Sequence, residues 1–316
     1  MASAGVMPFE ECKEIYLSPN YNVLEKYSSI LALKTHGNEE AAKILEQGYV
    51  NLGDSELLRH DVMYWIGQMK AKNSEKFLLE KINDKNEKSI VRHEAAEALS
   101  NLVDNKDQVI KELEKHWDSE DSLLKSTVRV AVPKLKTMNA NSRYGKTFPG
   151  ALEPAEPFNE EEICDYLKNK GIEVPKGKDQ LLESTQKQLL SSYDDVDEFT
   201  KYRMMYFLRD VNTLKAREIL SDLLSAKNRK VTSPLLRHEL CFILGQINTS
   251  NDKCITDALK AASIDESEHS VVRHEAILAF YDLTKDEEFI DQFLKHPDQL
   301  LRESVEVATQ MGEDGM

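Results

Sequence analysis

The chain has 316 residues, 41% of them hydrophobic and 31% charged, with 12 Gly and 9 Pro. So few breakers in so charged a chain exclude a turn-rich sheet protein, and a net charge of −15 excludes a general nucleic-acid binder, which needs a basic face to displace counterions. No run approaches about 18 consecutive apolar residues, so no membrane-spanning helix is expected.

The opening MASAGVMPFEECKE has no basic segment followed by an apolar stretch, so no signal peptide is expected. The four cysteines, Cys12, Cys164, Cys241 and Cys254, form no C-x-x-C pair and read as reduced thiols of a cytoplasmic protein. The first apolar helix opens at KYSSILALK, from Lys26 to Lys34. Two segments then share one pattern, LLRHDVMYWIGQM (Leu57 to Met69) and IVRHEAAEALSNL (Ile90 to Leu102). Each has two apolar residues, Arg-His-acid, and an apolar set at three- and four-residue steps, such as Val62, Trp65, Ile66 and Met69. LLKSTVRVAVPKL follows, from Leu123 to Leu135.

A Pro-, Gly- and Glu-rich stretch, NSRYGKTFPGALEPAEPFNEE (Asn141 to Glu161), reads as a linker. Residues Glu162 to Ser184 after it suggest a short helix, a turn and another helix, inserted between two halves. A small nucleic-acid-binding hairpin would have this pattern, but its acidic surroundings argue against that use. The repeat resumes at KYRMMYFLR (Lys201 to Arg209), LLRHELCFILGQI (Leu235 to Ile247), VVRHEAILAFYDL (Val271 to Leu283) and LLRESVEVATQM (Leu300 to Met311).

The spacing makes these one repeat. His60 to His93 is 33 residues and His238 to His274 is 36. The same steps outward place Tyr27 and Ser126 at the histidine position in the first half, Tyr202 in the second, and Glu303 29 residues beyond His274. Helical repeats with a period in the thirties predict an all-α, HEAT-like solenoid of two four-repeat halves facing each other. The expected boundaries are an N-terminal half over 1–140, a linker and insertion over 141–196, and a C-terminal half over 197–316.

Equivalent positions of a solenoid line up along one edge, so the histidines converge although they are distant in sequence. Half of the protein's 8 histidines occupy this one position. Eight candidate ligands result: His60, Asp61, His93, Glu94, His238, Glu239, His274 and Glu275. Imidazole plus carboxylate without thiolate suits octahedral divalent iron or manganese, and this many N/O donors suggests two ions with open positions for oxygen and substrate. Neighbouring residues on a helix point about 100° apart, so some of the acids are expected beside the ions, orienting imidazoles or holding a cationic substrate. The Arg before each histidine reads as structural, Tyr64 and Trp65 as a core pair, and His36, His116, His269 and His296 as surface residues.

Two sets of HEAT-like repeats, an acidic chain, a Pro-containing linker and four paired His-acid dipeptides resemble deoxyhypusine hydroxylase. LRHELCFILGQI, SVVRHEAILAF, KYRMMYFLR and LLRESVEVA are also similar to that family, over the whole chain outside the central insertion. Related repeat proteins such as the bilin-lyase group share the helices but lack the His-acid set. The resemblance implies a monooxygenase using two Fe(2+) ions, molecular oxygen and an external reductant. Its substrate would be the deoxyhypusine side chain of translation initiation factor 5A, with no nucleic acid or membrane involved. It implies that His60, His93 and Glu94 serve one iron and His238, His274 and Glu275 the other. Asp61 and Glu239 would sit beside the irons or receive the ammonium groups of the substrate. The chain departs from the family in Asp61, where the pattern has Glu, and in the long central segment. A non-catalytic scaffold on the same repeats predicts no metal, and a di-manganese or zinc hydrolase predicts no dependence on oxygen.

Overall fold

The structure is a computed structural model that describes residues 7–102, 106–138, 152–247 and 252–313; residues 141–151 of the expected linker lie outside them. Every regular element among the described residues is helical. The helices fall into two compact units.

The first unit begins with α1 (Phe9–Leu17), α2 (Val23–His36) and α3 (Glu39–Gly48). It continues through α4 (Glu56–Gln68), α5 (Glu75–Asn83), α6 (Ser89–Asn101), α7 (Lys106–Glu114) and α8 (Ser122–Thr137). Signature helices α4, α6 and α8 stack in sequence, as a solenoid requires. The second unit contains the inserted hairpin, α9 (Glu160–Asn169) and α10 (Lys178–Leu189). It goes on with α11 (Glu198–Val211), α12 (Leu214–Leu223), α13 (Pro234–Gln246), α14 (Lys253–Ile264), α15 (Ser270–Thr284) and the short α16 (Glu287–Ile290). The hairpin packs α10 on α11 and α12 through buried Leu181, Leu182 and Leu189, so it is part of the second unit's core.

Two boundaries differ from the sequence partition: the segment expected apart over 141–196 joins the second unit from Glu153 onward, and the C-terminal end joins the first. The last helix, α17 (Gln299–Glu313), was expected with the C-terminal half over 197–316 but belongs to the first unit. There it packs against α2 and α4, burying Leu300, Leu301, Val305 and Ala308. Sequence order cannot reveal this, because an apolar helix face does not name the neighbour that covers it.

The Arg before each repeat histidine bonds a neighbouring carbonyl or acid, as its position suggested. Arg92 Nε donates to the Ile82 carbonyl at 3.1 Å and Arg273 Nε to the Ser263 carbonyl at 2.9 Å, each satisfying an orphan acceptor at the end of a companion helix. Lys26 donates to the Asn51 carbonyl at 2.9 Å, and buried Lys201 to the Ser191 and Val231 carbonyls at 2.6 and 2.8 Å. Burial pushes the Lys201 ammonium down to about 8. Tyr64 and Trp65, expected in the core, are both half-buried, with the Lys34 ammonium 4.5 Å from the Trp65 ring centre.

Two glycines set how closely the signature helices approach. A Cβ on Gly67 would stand 2.7 Å from Ala98 Cα and 2.8 Å from Ala98 Cβ, so α4 and α6 touch backbone to backbone. At the matching position a Cβ on Gly245 would meet Ala279 Cβ at 3.1 Å. Gly67→Ala is therefore expected to cost about 1–3 kcal/mol by overpacking. Gly245→Ala should cost less, because its nearest contact is a side-chain methyl with more room; urea denaturation of both variants measures the difference.

Candidate metal sites

Each site is built on two signature helices. Helix α4 starts at Ser55, whose Oγ accepts the Leu58 amide at 3.1 Å, and it carries His60 and Asp61 on its second turn. Helix α6 carries His93 and Glu94 and crosses α4 at the Gly67–Ala98 contact. That close crossing brings His60, His93 and Glu94 together, with one ligand atom of each within 4.8 Å of the others. The two rings lie 5.7 Å apart, and His60 Nε2 is 3.3 Å from Glu94 Oε2.

The second unit repeats the construction. Helix α13 starts at Ser233, which accepts the Leu236 amide at 3.1 Å, and carries His238 and Glu239; α15 carries His274 and Glu275. His238, His274 and Glu275 meet within the same 4.8 Å. Their imidazoles stack at 5.3 Å, and His238 Nε2 is 3.7 Å from Glu275 Oε2. All six side chains are buried except Glu275, which is half-buried. The pairing of His60 with His93, and of His238 with His274, follows the 33- and 36-residue steps of the repeat.

Asp61 and Glu239, the remaining two of the eight candidates, lie outside these triads and are held differently from each other. The Nδ1–H of His60 donates to Asp61 Oδ1 at 2.9 Å, so this carboxylate orients its own neighbour's ring. The hydroxyl of Tyr206, on α11, donates to Glu239 Oε1, and the Arg209 guanidinium stacks 4.7 Å over the Tyr206 ring. Arg209 in turn pairs with buried Glu153. Tyr206 had no assigned role in the sequence, although it stands one helical turn after the repeat-position Tyr202.

The donor chemistry fits a divalent ion in each triad. Two imidazole nitrogens and a carboxylate oxygen, each about 2 Å from an ion, would sit roughly 3–4 Å apart, within the observed spread. Burial alone would favour a neutral His60 ring. The hydrogen bonds and negative charge of Asp61 and Glu94 outweigh it and push His60 up to about 10. An ion would bind Nε2 of a ring whose Nδ1 proton is held by Asp61. The remaining histidines lie outside both triads; His269 caps α15.

No family model matches the chain. Deoxyhypusine hydroxylase of Candida albicans is 29% identical over 320 residues, spanning 96% of this chain and 92% of that protein. That of Danio rerio is 27% identical over 306 residues, spanning 95% and 90%. That of Neurospora crassa is 30% identical over 269 residues, spanning 82% and 76%. Among solved structures, human deoxyhypusine hydroxylase in complex with glycerol matches with a TM-score of 0.76 at 24% identity over 96% of both chains, so the two share a fold. The chain belongs to the deoxyhypusine hydroxylase family of hydroxylating enzymes.

Proposed function

We propose that this protein is a deoxyhypusine monooxygenase that hydroxylates the deoxyhypusine side chain of translation initiation factor 5A in the cytoplasm, with two Fe(2+) ions per chain. The observation that carries the reading is the repetition of one two-His, one-carboxylate triad in both units, with all four imidazoles buried. His60, His93 and Glu94 hold one iron, and His238, His274 and Glu275 hold the other. The irons supply the activation of molecular oxygen, with electrons from an external reductant, which no side chain can provide alone.

The chain's own residues do the rest. Three protein ligands per ion leave open positions, as oxygen chemistry requires. Burial of His93 and His274, each 1% exposed, keeps bulk water away from the ligand nitrogens. Asp61 fixes the His60 ring through Nδ1. Glu239, oriented by the Tyr206 hydroxyl, is a carboxylate suited to an ammonium group of the substrate arm, as is Asp61 beside the first triad. The net charge of −15 favours encounter with a polycationic substrate arm.

The test is to incubate iron-loaded protein with deoxyhypusine-bearing factor, with and without oxygen, and to follow the mass of the modified lysine. A gain of one oxygen atom that requires both oxygen and a reductant supports the reading. Modification without oxygen, or none with iron fully loaded, overturns it.

A further inference from the structure

The two helices that begin the triads, α4 and α13, are anchored at their first residue in the same unusual way. Ser55 Oγ, while accepting the Leu58 amide, donates its own proton to Glu303 Oε2 at 2.7 Å. Ser233 Oγ, while accepting the Leu236 amide, donates to Glu198 Oε1 at 2.5 Å. Both glutamates are 5% exposed. A capping serine needs only its lone pairs for the helix, and its proton is normally given to water. Here each proton is given to a buried carboxylate on another helix. Such a carboxylate also sits favourably at the positive end of the helix it touches.

The source of the glutamate differs between the units. Glu198 opens α11, the helix that precedes α13 in the repeat order, four residues before the repeat-position Tyr202. The matching residue in the first unit, four before Tyr27, is Val23, which has no carboxylate to give. The first unit instead takes Glu303 from α17, the chain's last helix, at the position occupied by histidine in the metal-binding repeats. The Glu303 side chain is fixed further by Gln299 Nε2, which donates to Oε1 at 2.7 Å, and by the Leu57 amide.

We propose that Glu303 and Glu198 are positioning residues for the two triads, and that α17 supplies the first triad with the anchor that the first unit's own repeat lacks. Each serine precedes its histidine, His60 or His238, by five residues, about 7.5 Å along a rigid helix. Fixing that first residue fixes the height and rotation of the imidazole relative to the His93 or His274 ring across the helix contact. The proposal rests on the iron reading above, but the anchor itself has a readout that needs no metal.

The experiment uses the full chain with Glu303→Ala, Glu303→Gln and Glu198→Ala. In iron-loaded protein challenged with excess chelator, Glu303→Ala is expected to release one of two irons about tenfold faster than the parent while the other leaves at the parental rate, a change of the size seen when groups behind metal ligands are lost. Glu198→Ala should do the same to one iron only, and pairing it with Glu303→Ala should accelerate both. Glu303→Gln keeps an acceptor for Ser55 and should restore most of the parental rate. In metal-free protein, amide hydrogen exchange should speed up over residues 56–68 in Glu303→Ala and not over 234–246. A lower melting temperature with unchanged iron release would overturn the proposal, as would equal acceleration of both irons or exchange raised equally in α4 and α13. If the parent takes up no iron, the iron reading fails on its own, and the exchange measurement still decides whether Glu303 holds α4.

Discussion

Changing His93 and His274 together to alanine is expected to abolish hydroxylation and reduce bound iron from two per chain to none. Both imidazoles are 1% exposed, and each supplies one of only three protein ligands in its triad. With one removed, His60 and Glu94, or His238 and Glu275, are left as a two-ligand site open to water. Groups that merely support a metal ligand cost about 10–100-fold when changed, so removal of a ligand from both sites should exceed that range. Each single variant should keep one iron and the helical circular dichroism of the parent. Iron analysis and turnover on the three proteins check this; a double variant that keeps two irons would remove these histidines from the metal sites.

The largest effect on stability is expected at Arg237, which is 1% exposed. Its guanidinium donates to the carbonyls of Leu223, Leu224 and Ser225 at 3.2, 2.6 and 3.3 Å, and Nε donates to Glu268 Oε2 at 3.0 Å. Arg237→Ala would leave the end of α12 with buried, unsatisfied acceptors and weaken the pairing of Glu268, which keeps Arg229 and the His269 amide. The expected cost is about 3–5 kcal/mol, typical of breaking a buried charged network from one side. Arg237→Lys should rescue little, because an ammonium cannot reproduce the fork that reaches three carbonyls and a carboxylate. The same network sets an acid limit. Burial alone would raise the Glu268 carboxyl, but the Arg237 guanidinium, with the His269 amide and Arg229, outweighs it and holds the group below its ordinary range. A depressed folded value means that the stabilisation is fully present above the unfolded value, 4.5, and is lost as pH falls through the folded one. Denaturant titrations should therefore show parental stability falling below that pH and a flatter decline in Arg237→Ala.

The triads were legible in the sequence because a repeat turns spacing into proximity. Once His60 and His93 hold the same position in successive repeats, their meeting needs no further information, and the same is true of His238 and His274. What each acid touches was not legible. Asp61 and Glu239 are both the residue after a histidine, yet one bonds the neighbouring ring and the other a tyrosine on α11. That choice depends on side-chain direction and on a partner in a different repeat. The place of α17 was hidden for a related reason. Its pattern marks an amphipathic helix, but only its packing on α2 and α4 and its contact with Ser55 reveal which unit it completes. Tyr64 and Trp65, read as a core pair, are half-buried, with the Lys34 ammonium over the Trp65 ring.

The most direct test of the two-triad account is anomalous diffraction from crystals of the iron-loaded protein, with data on both sides of the iron absorption edge. The account predicts two edge-dependent peaks per chain, one bounded by His60, His93 and Glu94 and the other by His238, His274 and Glu275. A chain with no such peak in either triad, or with peaks that persist below the iron edge, would contradict it.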